Sequence, residues 1–351
     1  VNGRTITRSQ LDALVADLVT AGTAVTAPAR AADGGLDYRP VTRLDDAVLD
    51  GGLPRRSLME LFLPPTEPLF SFRLSGPDVS IESVPTKFPP HVVLGARPCD
   101  AAGVEVLDKV MGWDYRDELW FGRREATTIL SVGCSSGDEA CFCGAAGGGP
   151  AATRGADLLL LPLEEGFAVE VVTPKGEAFV AAHEERFGAA PNEADVARRR
   201  AALAGGRVEP VAPLAPVTAW LADHFEDPFW ADIALRCHGC GACASVCPTC
   251  HCFDIVDEPE GVTHGTRRRN WDTCQTSRFT LHASGHNPRA DQNARFRQRV
   301  LHKFSIYPAR FGELLCTGCG RCSRACPGGM DLPEVLRSIA ERAAAPAGGA
   351  A

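Results

Sequence analysis

An α+β chain of two parts is predicted: a mixed α/β N-terminal domain, then a C-terminal domain folded around two metal clusters. Three observations predict it. Two cysteine runs share one spacing, Cys237-x2-Cys240-x2-Cys243-x3-Cys247-Pro248 and Cys316-x2-Cys319-x2-Cys322-x3-Cys326-Pro327. Strand and helix patterns alternate through roughly the first two hundred residues. A stretch rich in glycine, proline and arginine, 190–217, then breaks the pattern and reads as a linker or crossover. The expected division is 1–205, then 206–343 with a long insertion at 248–315, then a flexible tail at 344–351.

In chain order, Ser9-Gln10-Leu11-Asp12 reads as a capping box, and Leu11, Leu14, Val15, Leu18 and Val19 follow at helical spacing, with Gly22 as the stop. Residues 91–95 read as a strand, Arg97-Pro98-Cys99-Asp100 as a turn, and the run to Met111 as a helix with Asp100 as N-cap. Residues 126–132 form a second β-rich run ending at Gly133-Cys134. Two further runs, 156–162 and 167–172, flank Leu163-Glu164-Glu165-Gly166 and signal a hairpin. One or two helices are expected over 217–236, and a last helix over 331–343.

Composition sets limits on function. Apolar residues make up 45% and charged residues 23%, as in ordinary globular chains. The net charge of −8 argues against nucleic acid as the main partner. No apolar run approaches the roughly 18 residues of a membrane span, and no apolar stretch follows Val1-Asn2-Gly3-Arg4, so no membrane role is expected. Fifteen cysteines, mostly in metal-type spacings, imply a reducing, cytoplasmic setting rather than a disulfide framework. Between Arg267 and Lys303 nine Lys/Arg face two Asp. That excess reads either as a solvated loop or as charge offsetting thiolate-ligated iron, with Arg297 as the residue to test.

The cysteine runs carry the chemistry. A C-x2-C-x2-C-x3-C-P run supplies three thiolates from one tight loop, and its fourth cysteine ligates the other of two [4Fe–4S] clusters, the ferredoxin arrangement. Crossed ligation therefore predicts Cys237, Cys240, Cys243 and Cys326 on one cluster, and Cys316, Cys319, Cys322 and Cys247 on the other. Sixty-eight residues separate Cys247 from Cys316, so a large insertion must leave and return to one core. Zinc is the competing reading, although zinc sites usually present separated knuckles. Four more thiols, Cys99, Cys134, Cys141 and Cys143, suit a third [4Fe–4S] cluster. A structural zinc and unligated core cysteines are the alternatives there. Cys250, Cys252 and Cys274 read as packing cysteines around the clusters, with a further metal beside His251 as the rival. His238, His282, His286 and His302 read as surface or hydrogen-bonding residues. Gly147-Gly148-Gly149 is no dinucleotide fingerprint, so no flavin or NAD(P) is expected on this chain.

Several segments resemble a known family. They are Phe62-Leu63-Pro64-Pro65-Thr66-Glu67-Pro68-Leu69-Phe70, Gly95-Ala96-Arg97-Pro98-Cys99-Asp100, Cys141-Phe142-Cys143, Cys247-Pro248-Thr249-Cys250-His251-Cys252-Phe253-Asp254 and Arg269-Asn270-Trp271-Asp272-Thr273-Cys274. Gly285-His286-Asn287-Pro288-Arg289 and Arg295-Phe296-Arg297-Gln298-Arg299 belong with them. Over about residues 58–335 the chain is similar to the iron–sulfur β subunit of soluble nickel–iron sulfhydrogenases, and to its counterpart in the anaerobic sulfite reductases. The resemblance implies an electron-transfer subunit, non-catalytic itself, in a heteromeric complex. The hydrogenase small and large subunits, with a flavin-bearing NAD(P) reductase subunit, would be its partners; in a sulfite reductase the partner would be the catalytic subunit. The resemblance also favours the third cluster and draws Cys250, Cys252 and Cys274 into the pattern. An independent iron–sulfur oxidoreductase and a zinc-bearing scaffold are the readings from other classes.

Overall fold

The computed structural model describes residues 3–135, 137–205, 211 and 214–345. The expected flexible tail lies outside them from residue 346 onward, and the expected boundary at 205/206 falls at the edge of an undescribed stretch.

The first half opens with β1 (Gly3–Ile6), α1 (Arg8–Thr20), β2 (Ala24–Arg30) and β3 (Leu36–Pro40). The hairpin β4 (Thr66–Ser75) and β5 (Asp78–Ser83) follows, then β6 (His91–Ala96), α2 (Pro98–Met111), α3 (Glu118–Ala126) and β7 (Thr127–Val132). It closes with β8 (Leu158–Leu163), β9 (Gly166–Val171), α4 (Pro174–Ala182) and α5 (Glu193–Ala204). Seven strands form one sheet in the order β1-β9-β8-β7-β6-β2-β3, whose four parallel central strands are β8, β7, β6 and β2. Alternate residues of β6 face opposite layers, as the two-residue strand period requires. Val92 and Leu94 pack with the apolar stripe of α1, while Val93 and, past the register shift at Gly95, Ala96 pack with Ala101, Val104 and Leu107 of α2.

Local chemistry explains the differences from the expected boundaries. The cap of α1 is Thr7, not Ser9: its side chain accepts from the Gln10 amide, and the Gln10 side chain accepts from the Thr7 amide. Asp100 does not cap α2, because Pro98 at the first turn puts Arg97 at the cap position. Asp100 lies within the helix, fully buried, and its carboxylate bonds elsewhere. The region expected to be linker contains α5, whose Leu203 packs on Leu159, Leu161 and Ala168 of the sheet.

The second half contains α6 (Ala215–Asp223), α7 (Phe229–Ile233), α8 (Ala242–Ser245), β10 (Phe253–Pro259), β11 (His264–Trp271) and α9 (Gln292–Leu301). A π-helical turn, His302–Ile306, runs straight into α10 (Tyr307–Phe311), and α11 (Arg321–Arg324) and α12 (Leu332–Ala344) complete the chain. Asp331 caps α12 by accepting from the Glu334 amide. Val217, Trp220, Trp230, Phe296, Phe304, Val335 and Ile339 form the core, against which Cys237, Cys316, Cys322 and Cys326 pack.

The halves are joined by more than one connection. A four-stranded antiparallel sheet runs β10-β11-β4-β5, so the expected insertion 248–315 pairs with a hairpin from the first half. Arg269 of β11 is buried against Glu67 of β4 and Asp117, and the Trp271 indole donates to the Leu63 carbonyl at 3.1 Å. Tyr307 donates to the Val106 carbonyl at 2.6 Å. Among the described residues no helix is long and apolar enough to cross a membrane.

Candidate iron–sulfur centre

The two cysteine loops repeat one backbone. Gly239 and Gly241 in the first have φ of 67° and 76°, and Gly318 and Gly320 in the second 64° and 71°. An L side chain rarely adopts that left-handed conformation, so glycine at both turns lets each loop curl tightly around its three cysteines. In both loops the second glycine caps a single helical turn, α8 or α11, and the two turns pack together.

The thiols of the two loops interleave. Cys237, Cys240, Cys243 and Cys326 line one pocket with Phe296, Met330, Leu332 and Val335, and Cys322 also reaches it. Cys326 comes from the other loop, far along the chain from the three thiols it joins. The Met330 amide donates to the Cys326 sulfur at 3.3 Å, and the Gln292 side-chain amide donates to the Cys237 sulfur at 3.2 Å. In the second group, burial pushes Cys316 up to about 12 and Cys322 up to about 11, and the charge of Cys247 adds to both shifts. Thr249 and Lys303 both donate to the Leu315 carbonyl, at 2.8 and 2.9 Å, which ties the segment after Cys247 to the residue before Cys316. The Gly318 amide donates to the Cys316 sulfur at 3.5 Å.

The N-terminal thiols lie against this second loop. Burial pushes the Cys99 thiol well up, and Asp100, Cys319 and Cys134 add to the shift while Arg321 opposes it. Cys99 and Cys134 follow β6 and β7, adjacent parallel strands, so they leave the same end of the sheet. Cys141 and Cys143 sit on a loop whose Phe142 amide donates to the Gly318 carbonyl at 2.8 Å. Arg324 donates to the Cys141 sulfur at 3.0 Å and is held by Asp138. Both N-terminal pairs therefore meet the turn at Cys319.

Asp100, misread as a cap, closes this junction. Arg321 of α11 makes two bonds to its carboxylate, at 2.6 and 2.7 Å, with both side chains almost fully buried. The Tyr38 hydroxyl donates to the same carboxylate at 2.7 Å. Neighbouring Arg97 is also buried and spends its guanidinium on the carbonyls of Val48, Leu49, Gly51 and Gly52.

The remaining thiols form two contacts beside the clusters. Cys250 lies by Cys247, lowering its pKa, and accepts from Arg299 at 3.3 Å. Cys252 lies by Cys274, whose thiol its hydrogen bond lowers to about 5. His251 is half-buried and its pKa lowered by burial, and its ring meets that of His302 edge-on at 5.6 Å. His302, expected to be a surface or hydrogen-bonding residue, is half-buried and pushed down to about 3, first by burial and then by His251. His282 and His286 meet edge-on at the surface, ring centres 5.3 Å apart.

The basic segment divides in two. Arg267, Arg268 and Arg269 pair with Asp257, Glu258, and Glu67 with Asp117. Arg297, the residue singled out for tuning, points away from the thiols, over the Phe225 ring at 3.9 Å and onto Glu226 at 2.8 Å. Arg299 and Lys303 are the ones that reach sulfur. Sequence reading missed Gln292 and Gln275, whose side-chain amide donates to the Cys274 sulfur at 3.4 Å, and did not single out Lys303 within the basic run. The available signal was the spacing of Arg295, Arg299 and Lys303, four residues apart and so on one helix face.

The donor set of the two cysteine loops fits thiolate-ligated clusters: eight cysteines, with the amides of Gly318 and Met330 aimed at sulfur and an apolar wall beside the first loop. Among the described residues no three His, Cys, Asp or Glu side chains close on a point that would hold a single ion.

Residues 236–330 match the 4Fe-4S dicluster domain family. The chain is 30% identical over 312 residues to sulfhydrogenase 2 subunit beta of Pyrococcus furiosus, an alignment covering 87% of this chain and 89% of that protein. The chain belongs to the sulfhydrogenase β-subunit family. No solved structure matches it. As a member of that family with a dicluster domain, it is an iron–sulfur electron-transfer protein of the oxidoreductase class. The alignment to that relative extends over both halves of the chain.

Proposed function

We propose that this chain relays electrons through three [4Fe–4S] clusters within a cytoplasmic nickel–iron hydrogenase complex. Its partners would be the hydrogenase small and large subunits, together with a reductase subunit that binds flavin and NAD(P). The relative's name, a sulfhydrogenase β subunit, favours hydrogenase over sulfite reductase. The observation that carries the reading is Cys326 lining the pocket of Cys237, Cys240 and Cys243, as crossed ligation requires.

Cys237, Cys240, Cys243 and Cys326 would hold the first cluster, Cys316, Cys319, Cys322 and Cys247 the second, and Cys99, Cys134, Cys141 and Cys143 the third. Each group, when bound, takes up and gives back one electron. The protein's work is to fix their positions and surroundings. Amides from Gly318 and Met330 and the side chain of Gln292 donate to the ligand sulfurs, and Phe296, Leu332 and Val335 keep water from the first group. The third group borders the second through Cys319, and the second borders the first through Cys322, so the three stand in series. Cys240 is exposed at one end, and Asp138 and Glu139 are exposed near the other.

Anaerobic purification with iron and sulfide analysis tests the reading. About twelve irons per chain and a brown colour bleached by dithionite are expected for three clusters. About eight irons would remove the third group, and a colourless protein would overturn the proposal. Co-purification from native cells should bring down a flavoprotein and a nickel protein; recovery of the chain alone would reject the partners.

A further inference from the structure

We infer that Arg299 and Lys303 set the reduction potentials of the two C-terminal clusters, Arg299 acting on both and Lys303 on the second alone. The inference rests on the cluster reading above.

Both side chains are buried, at 6% and 3% exposure. Among the described residues neither has a carboxylate within ion-pair distance. The other deeply buried arginines are compensated in one of two ways. Arg269 and Arg321 have carboxylates, while Arg97 and Arg295 are wrapped in carbonyl oxygens. The Lys303 ammonium instead reaches the Cys247 sulfur at 3.4 Å, the Thr249 hydroxyl at 2.9 Å and the Leu315 carbonyl at 2.9 Å. Arg299 reaches the Cys250 sulfur at 3.3 Å and the Cys243 carbonyl at 3.0 Å.

A buried cation without a counter-charge costs several kcal/mol. The negative groups available to these two are the cysteines. For Arg299, burial works against the charge, and Cys243, Cys250, Cys322 and Cys247 outweigh it. Cys243 belongs to the first group, Cys322 and Cys247 to the second, so this guanidinium stands between the two. For Lys303 the same opposition comes from Cys247, Cys250 and Cys316, none of them in the first group.

The helix explains how both get there. Residues 299 and 303 are one turn apart, on one face. The π-helical turn His302–Ile306 begins where Lys303 must turn inward, a geometry that recurs at functional positions. Reduction adds one negative charge to a cluster already negative. A fixed cation in a poorly screened interior stabilises that added charge more than the oxidised state, so it raises the potential.

The test is a redox titration of the reconstituted full chain, followed by electron paramagnetic resonance, with iron counted on every sample. Lys303→Met should lower one midpoint, the equilibrium constant for one-electron reduction falling at least tenfold, or about 59 mV. Arg299→Gln should lower two. Lys303→Arg and Arg299→Lys, which keep the charge, should restore most of the loss. Where Lys303→Met holds less iron, Lys303→Gln, which keeps a donor for the Leu315 carbonyl, carries the measurement.

Full iron with unmoved midpoints in the neutral variants would overturn the inference while leaving the clusters intact. So would a Lys303→Arg midpoint that falls as far as those of the neutral variants, since the loss would then follow the contact and not the charge. A wild-type chain without iron would overturn the cluster reading and this inference together.

Discussion

The two cysteine loops have the same spacing and the same backbone angles, yet they stand in different surroundings. In the first, Cys240 is exposed, and Gly239 and Gly241 lie against the side chains of Gln292 and Thr273. In the second, Cys319 is buried, and Gly318 and Gly320 lie against the backbone of Phe142 and Ala140. The position held by Arg321 in the second loop is held by Ala242 in the first. One local sequence thus builds a terminal site that faces outward and an internal site sealed by the first half of the chain. The teaching is that the loop sequence specifies ligation, and its neighbours specify access.

The largest expected effect tests whether the loops really exchange their fourth ligand. Cys237→Ser and Cys326→Ser, though in different loops, should each remove about four irons, and the pair together should remove no more. Cys237→Ser with Cys247→Ser, both in the first loop, should remove about eight. Iron counts showing the reverse pattern would mean that each loop completes its own cluster, and the comparison would lose its basis.

Next in size is the seal. Asp100→Asn leaves the Arg321 guanidinium buried without its partner, and breaking such a pair costs about 3–5 kcal/mol. Replacing both, with Asp100→Leu and Arg321→Met, should cost less than Asp100→Asn alone, because no orphaned charge remains. Denaturant unfolding of the holoprotein measures both. No such pair exists at the first loop, where Ala242→Ser should stay within about 0.5 kcal/mol of wild type. Equal losses at the two loops would show that Asp100 does not distinguish them.

The seal also shows what could and could not be read in advance. Spacing alone marked the dicluster domain, because a cluster loop demands its thiolates at fixed intervals. Helix α12 was legible because Asp331 and the apolar residues behind it are local signals. Asp100 was misread for the same reason: an acid near a helix start looks like a cap, and nothing in its neighbourhood announces an arginine 221 residues away. Strand β11 pairing with β4 across the chain escaped notice on similar grounds, since a long-range pairing leaves no mark in either strand. The α1 cap was placed two residues late because Ser9 and Thr7 are both good caps, and the Gln10 side chain decides between them.

A smaller effect separates the glycines. Alanine at position 241 or 320 forces an L residue into the left-handed region, at roughly 1–2 kcal/mol. At Gly241 the new methyl would meet the Thr273 side chain, which can rotate; at Gly320 it would meet the Ala140 carbonyl, which cannot move without the Cys141 loop. Gly320→Ala should therefore destabilise more than Gly241→Ala, and Thr273→Ser should partly rescue only the latter. Equal destabilisation, or rescue at neither site, would mean that the domain contact at the second loop yields as easily as a side chain.

The smallest expected effect concerns Arg297, and it sharpens the comparison by isolating charge from contact. Arg297 and Arg299 lie two residues apart on α9, so they project to different faces of the helix. Arg297 meets Glu226, which is 80% exposed, and Phe225; Arg299 meets the cysteines that divide the two loops. An exposed partner in water screens the pair, so Arg297→Gln should cost under about 1 kcal/mol. Its charge is already balanced by a carboxylate and stands apart from both cysteine groups, so the midpoints should stay where they are in the wild type. A midpoint that fell as far for Arg297→Gln as for Arg299→Gln would mean that the potentials respond to the net charge of the helix. In that case burial beside sulfur would have no privileged role, and the difference between the outward and the sealed site would have to come from solvent access alone.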